Sequence, residues 1–462
     1  MAETSPTVTL NEPGAFEPLH AEQRAQVLSR PSLSYWQDAW IRLKANRRAL
    51  GSLYIIIALL LFTVVGPFVW QVDPAAQDLD QISTPPGASR AATLVGPLQP
   101  WDGSTLEPDR PGLHLAEPAT TQSVRLLWDP WPEAYGYRVY RNIFPVAPGE
   151  ALGLPMGDTF ARDQTRFEDR LDLQPRTYYY TVVALDTYGE ELDRQESLEV
   201  TPNRVITIDD ALARGLIAPA DDRQVGDSVR LALHPLGTDY LGRDMLARLM
   251  HGARVSLFIG IAAPFLFVLF GVVYGSTAGF LGGHVDQALM RFADFVIALP
   301  FLLFMILFKI AFGIGPGESG IMPMVVAMVV LLWPATARLV RGQILQVREE
   351  GYVSAARLLG APTGYLVMRH MIPNTMGVIL VTLTFAVPSA IFTEAFLSFI
   401  GMGVAPPTPS WGSMCNEGIK TMLTYPHELI FPALLISITV LAFNLLGDGL
   451  RDALDARMRS RE

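Results

Sequence analysis

The sequence predicts an all-α polytopic membrane protein with six transmembrane helices, interrupted by an extracytoplasmic β-sandwich insert. Three observations predict it. Of the 462 residues half are hydrophobic and only 17% charged, where a soluble chain carries about a quarter charged. The apolar residues gather in runs close to the ~20 residues that cross a bilayer as a helix. The acidic charge, in contrast, sits in one block: residues 73–230 hold 26 acidic and 14 basic side chains, a net of −12 in a chain whose total is −10.

Taken in order, residues 1–30 form a polar tail with no apolar core, so no signal peptide is expected and the first span should act as an uncleaved signal-anchor. Residues 31–72 follow as an elbow helix and a first span. "SYWQDAWIRL" sets Trp36, Trp40 and Leu43 on one helical face, and tryptophans suit the headgroup layer. An uncharged run over 49–72 supplies the span. Between them, Arg42, Lys44, Arg47 and Arg48 place the N-terminus on the cytoplasmic side.

Residues 73–112, rich in Pro, Gly, Asp and Ala, read as a linker, and 203–253 as a second linker ending in a pre-membrane amphipathic helix. Between them, 113–202 read as short strands. "SVRLLWDP" alternates Val124, Leu126 and Trp128 against Arg125 and Leu127; "YGYRVYRN" alternates Tyr137, Val139 and Arg141 against Arg138 and Tyr140. A buried Trp on an early strand, with "LQPRTYYYTVVALD" offering Tyr178 or a neighbour for a tyrosine corner, resembles a fibronectin type III sandwich. Such an insert serves as a spacer or a docking surface. Its acidity would repel anionic lipid or attract a basic partner, and the residues leave both open.

The helical core, 254–462, carries the other runs: 255–283, 295–317 with Lys309 inside it, 319–337, 374–393 and 429–447. Six crossings return the C-terminus to the cytoplasm, where Arg451, Arg457, Arg459 and Arg461 agree, and they put Arg338, Arg341, Arg348, Arg357 and Arg369 inside as well. Arg243, Arg248 and Arg254 conflict with this, but they follow a long translocated segment, where the rule is weak. Ahead of the second span, Thr238 or Asp239 is expected to cap a helix whose Leu241, Met245, Leu249 and Ala253 lie along the outer membrane surface. Lys309 is expected to snorkel. Asn444 and Thr439 suit interhelical hydrogen bonds. Glu394, near the outer end of the fifth span, is costly at membrane depth and so, with Asn444, is a candidate for a translocation path.

A single cysteine, Cys415, excludes an intrachain disulfide, and seven scattered histidines offer no metal-ligand spacing. No nucleic-acid partner is expected. "GLPMGDT" and "GAPTGY" lack the lysine of a phosphate loop, and no GxxxxGK[ST] occurs. No nucleotide hydrolysis, and no enzymatic activity, is therefore expected of the chain; any energy input would come from a partner.

Between the fourth and fifth spans lies a segment too polar to cross a membrane, 349–374. Tyr352, Ala355, Ala356 and Leu359 fall at i, i+3, i+4 and i+7, one slim helical face, with Glu349, Glu350 and Arg357 away from it. Gly360 follows as a cap able to take positive φ, and a second short helix, "TGYLVMRHMI", runs to Pro373, which should stop it. Periodicity alone fits a force-transmitting helix pair and an amphipathic loop on lipid equally well.

The segment resembles the coupling "EAA" loop of ABC importer permeases: Ala355, Ala356, Gly360 and Pro373 match, while Ser354 stands at the usual Glu position and Glu350 where the nearest branch often has a second Glu. That branch is the dipeptide, oligopeptide and nickel permeases. "HPLGTDYLGRDMLARLMHGARVSL", "EAFLSFIGMGVAPPTPSWGSM", "GDGLRDALDAR" and the N-terminal "SYWQDAWIRLKANRRALGSLYIII" resemble its segments in order, over about residues 30–72 and 234–457. The sandwich is a departure from the family. The resemblance implies a permease subunit, for peptides by preference, working by alternating access. Its partners would be a second homologous permease, two cytosolic ATPases docked on Glu350, Tyr352, Ala355, Ala356, Arg357, Leu359, Gly360 and Pro373, and an extracytoplasmic binding protein. An ion-coupled secondary transporter and a membrane-anchored sensor are the alternatives; no convincing internal repeat speaks for the first, and the second leaves the helix pair without a role.

Overall fold

The computed structural model describes residues 35–106, 110–147, 149–218, 222–312 and 319–454. The polar tail, residues 313–318 of the predicted third span, and Arg457, Arg459 and Arg461 lie outside them. Helix α1 (Tyr35–Ala45) and helix α2 (Arg47–Val64) meet at Asn46, whose side chain accepts from the Arg48 and Ala49 amides at 3.1 and 3.3 Å. Asn is a strong N-cap because that carbonyl satisfies orphan donors of the first turn. A short α3 (Gly66–Val69) follows, with proline in its first turn.

The segments expected to be linkers are folded. Strand β1 (Ala91–Val95) pairs parallel with β9 (Val205–Thr207) and antiparallel with β10 (Ser228–Arg230), and α4 (Ile208–Ala213) closes a small core of Leu94, Ile206, Ala211 and Val229. The partners lie more than a hundred positions apart in the chain, so local pattern could not reveal the pairing, and the Pro and Gly mark only the turns around it.

The sandwich has one sheet in the order β2 (His114–Leu115), β3 (Val124–Leu127), β6 (Arg166–Asp169) and a second in the order β5 (Leu154–Thr159), β4 (Gly136–Asn142), β7 (Tyr178–Leu185), β8 (Glu191–Val200). Both sheets feed one core containing Leu126, Trp128, Tyr137, Val139, Tyr180 and Val182. The Tyr178 hydroxyl accepts from the Gln174 amide, four residues upstream, at 2.9 Å, the bond that defines a tyrosine corner.

Beyond the insert, α5 (Met245–Leu281) runs unbroken for 37 residues, about 55 Å at 1.5 Å per residue. It is capped by Asp244, which accepts from Ala247 N at 2.6 Å, and not by Thr238 or Asp239, which are buried in the preceding loop. The expected surface helix and the second span are one rod. Next, α6 (Gly283–Ile297) and α7 (Phe301–Ala311) bend by 82°. Pro300 is the cause: it lacks an amide hydrogen and drives Leu299 out of the helical region. The run 295–317 expected as the third span is therefore broken: Phe295–Ile297 close α6, and α7 carries Phe301–Ala311. Helices α8 (Ile321–Arg348), α9 (Gly351–Leu358) and α10 (Thr363–Tyr365) lead to α11 (Ile372–Phe399), then α12 (Trp411–Gly418) and α13 (His427–Leu454). Among the described residues, five helices are long and apolar enough to cross a membrane, or six spans if the bent pair counts as one.

Pro373 does not stop its helix. The chain passes from α10 through a π-helical turn, Leu366–Met371, into α11 without a break. The wider turn leaves the proline ring free of the carbonyl it would meet in a regular helix.

Candidate coupling site and outer mouth

At the C-terminal end of α5 stands α9. Val353 roots it, buried in a cluster with Phe280, Ile344, Leu366 and Met371. Of the predicted face only Ala356 packs inward; Tyr352, Ala355 and Leu359 turn outward, as does Glu350. The sequence stripe was one residue out of phase with the buried one, and Leu358 was missed; it and Leu359 are each 89% exposed. Gly360 takes φ +84°, where its amide donates to Arg357 O at 3.0 Å and the Ala361 amide to Ala356 O at 3.1 Å. That paired bond is a Schellman cap, and only glycine adopts it without strain.

The lever is braced from behind. Arg357 lies over the Phe280 ring at 5.3 Å, and Arg348 donates to Gly279 O at 3.3 Å. Asn374 donates to the Tyr352 hydroxyl at 2.9 Å, tying the outgoing limb to the returning one. Arg341 grips Asp286 of α6 with both fork nitrogens, at 2.5 and 2.6 Å, and Arg338 pairs with Asp294. These arginines, read in the sequence as flanking charge, also pin α6 to α8.

The insert sits at the opposite end of α5. Trp70 donates to Asp244 at 3.1 Å, the Asp78 amide to Gly242 O at 3.0 Å, and Arg176 of the β6–β7 loop to the Tyr425 hydroxyl at 3.3 Å. Below these contacts lies a sealed ionic network. Arg243 bridges Asp239 and Glu417, each at 2.8 Å, and Arg248 reaches the same two carboxylates, Glu417 at 2.7 Å. The Arg248 side chain is 2% exposed. Beside it His234 Nδ1 meets Asp244 at 2.7 Å and Nε2 faces Asp78. Burial opposes the imidazolium, but the Asp244 and Asp78 carboxylates outweigh it and raise the His234 pKa to about 9.

Residues 271–460 match the binding-protein-dependent transport system inner membrane component family, and 34–86 match the N-terminal TM domain of oligopeptide transport permease C. The chain is 49% identical over 226 residues to the oligopeptide transport system permease protein OppC of Bacillus subtilis, covering 49% of this chain and 72% of that one. It is 46% identical over 227 residues to the dipeptide transport system permease protein DppC of the same organism, covering 49% and 69%. To the glutathione transport system permease protein GsiD of Pectobacterium atrosepticum it is 42% identical over 227 residues, covering 49% and 74%. This chain belongs to that family of importer permeases. A solved methionine ABC transporter, MetNI in inward-facing form, aligns at 16% identity and a TM-score of 0.38, over 46% of this chain and 98% of that one.

In the permease the two path candidates stand apart in character. Glu394 is fully enclosed, accepting from Ser256 and Ser398 hydroxyls at 2.8 Å each. Asn444, on α13, is half-buried. The Lys309 ammonium donates to Gly403 O at 3.3 Å, in the loop after α11. The ionic network at the insert end of α5 escaped sequence reasoning because Glu417 lies some 170 positions from its arginines.

Proposed function

We propose that this permease carries peptides inward as one of two homologous membrane subunits, with both termini cytoplasmic and residues 73–253 extracytoplasmic. The observation that carries the reading is the exposed α9 lever, rooted by Val353 with Ala356 beside it and set at the far end of α5 from the insert. Basic flanks such as Arg42, Arg47, Arg48 and Arg369 favour a cytoplasmic lever. Two ATPase subunits, holding ATP and Mg, dock on Glu350, Tyr352, Ala355, Leu359 and the neighbouring turn. Their closure on ATP drives the paired levers together, which is a coupling free energy between two sites and acts in both directions. A binding protein delivers substrate at the outer mouth, and Glu394 and Asn444 bias the path between inward- and outward-open states. Peptide cargo is favoured by the relatives, whose names specify oligopeptide, dipeptide and glutathione transport. The sheet order and the tyrosine corner support a fibronectin type III-like insert.

The test is Gly360→Val in the four-subunit transporter reconstituted in liposomes. A β-branched residue at φ +84° is strained, while nothing crowds the site, so the lever distorts and the fold persists. ATP hydrolysis should continue with peptide uptake lost. Normal coupled uptake, or uptake driven by an ion gradient without ATPase subunits, would refute the proposal.

A further inference from the structure

The sandwich meets the permease loop 419–426 through one pole, where Arg176 donates to Tyr425 and lies over its ring at 5.5 Å. At the other pole the β3–β4, β5–β6 and β7–β8 loops converge. The eight residues of β7 set the two poles about 26 Å apart at 3.3 Å per residue. There Tyr135, Phe160 and Tyr188, 56%, 81% and 90% exposed, flank one groove of about 390 Å³. Scattered apolar side chains on a surface need no explanation, but three rings around a shared groove do.

The core cannot take these rings. Trp128, Trp131 and Tyr137 already fill it below the loops, in edge-to-face contacts at 5.3 and 5.4 Å. The groove floor is rigid backbone, since a Cβ on Gly136 would stand 2.2 Å from Thr159 O. On the same three loops Asp129, Glu133, Asp163 and Glu190 are exposed. Of the nearby cations, Arg162 is spent on Ala134 O at 3.0 Å and on the Tyr135 ring, and Arg194 on Glu133 at 3.2 Å. Tyr135 already carries Arg162; Phe160 and Tyr188, on loops that bear carboxylates, suit an incoming lysine or arginine: the π face attracts the cation and the carboxylates steer it.

We infer that this pole is a docking site for the extracytoplasmic binding protein of the same transporter, engaged through a basic patch on that protein. The inference rests on the importer reading. Position favours this occupant. A globular partner of some 300 residues has a radius of gyration of about 19 Å, so one seated on the outer mouth rises along the sandwich to the height of the pole. The insert's net −12 adds long-range attraction to a basic partner.

The test uses the complete transporter in nanodiscs and its purified binding protein, with Kd read by biolayer interferometry and ATPase stimulation in parallel. For Phe160→Ser with Tyr188→Ser, the expected result is a Kd at least tenfold weaker and basal ATPase unchanged, as interface aromatics are frequent hot spots. Asp163→Lys with Glu190→Lys should weaken binding more at 50 mM salt than at 500 mM. Both pairs lie on exposed loops, so folding is spared. Unaltered Kd in both variants overturns the docking site, as does an effect confined to self-association of the transporter. If the binding protein neither binds nor stimulates the unaltered transporter, the importer reading itself fails, and the docking site with it.

Discussion

The two ends of α5 are built on opposite principles. At the insert end, charged groups are buried and paired: Arg243, Arg248, Asp239 and Glu417 form one network, with His234 between Asp244 and Asp78. At the lever end the charges are exposed or paired across helix surfaces, and what projects is apolar: Leu358, Leu359 and a glycine turn. A buried ion network fixes one geometry, because breaking any member leaves an uncompensated charge in a low dielectric. An exposed apolar tip fixes no geometry by itself; under the proposed function a partner ATPase completes it.

Substitutions that sharpen this contrast should rank by how much the fold depends on each group. Arg248→Ala leaves two buried carboxylates, Asp239 and Glu417, to Arg243 alone, and a loss of about 3–5 kcal/mol is expected, seen as reduced folded yield and a lower Tm in detergent. His234 comes next. Its folded pKa of about 9 lies above the ordinary 6.5, so its contribution is complete below about pH 6.5 and disappears as pH rises through 9. The Tm difference between the unaltered protein and His234→Gln should be widest at pH 6 and close above pH 9. Arg138, on the partly open face of the sandwich with Asp158 at 2.7 Å and Glu191 at 3.0 Å, should matter less: Arg138→Ala costs about 0.2–1 kcal/mol. Leu358→Ser with Leu359→Ser should change Tm least of all, yet abolish ATP-coupled uptake. A large Tm loss there would show that the tip is part of the folded core and would erase the contrast.

Hydropathy made the spans legible because an uncharged run of ~20 residues has few other uses, and alternation gave Val124, Leu126, Tyr137 and Val139 their inward face. What stayed hidden depends on distance or on backbone detail. The β1–β9–β10 sheet and the Glu417 network join segments far apart in sequence. Pro300 and Pro373 look alike in the chain, yet one breaks a helix and the other sits inside one, since a π-turn stands before the second. In the lever, Gly360 was readable from turn chemistry, but Val353 was not. Alanines fit either side of so short a helix, and its root is decided by what Phe280 and Ile344 present to it.

The central claim is that the lever and the insert lie on opposite sides of the membrane, the lever inside. Single-cysteine labelling with a membrane-impermeant maleimide tests it most directly, since the native Cys415 is buried. Leu359→Cys should label in inside-out vesicles and not in intact cells, and Tyr188→Cys should do the reverse. Labelling of Leu359→Cys from outside intact cells would contradict the account.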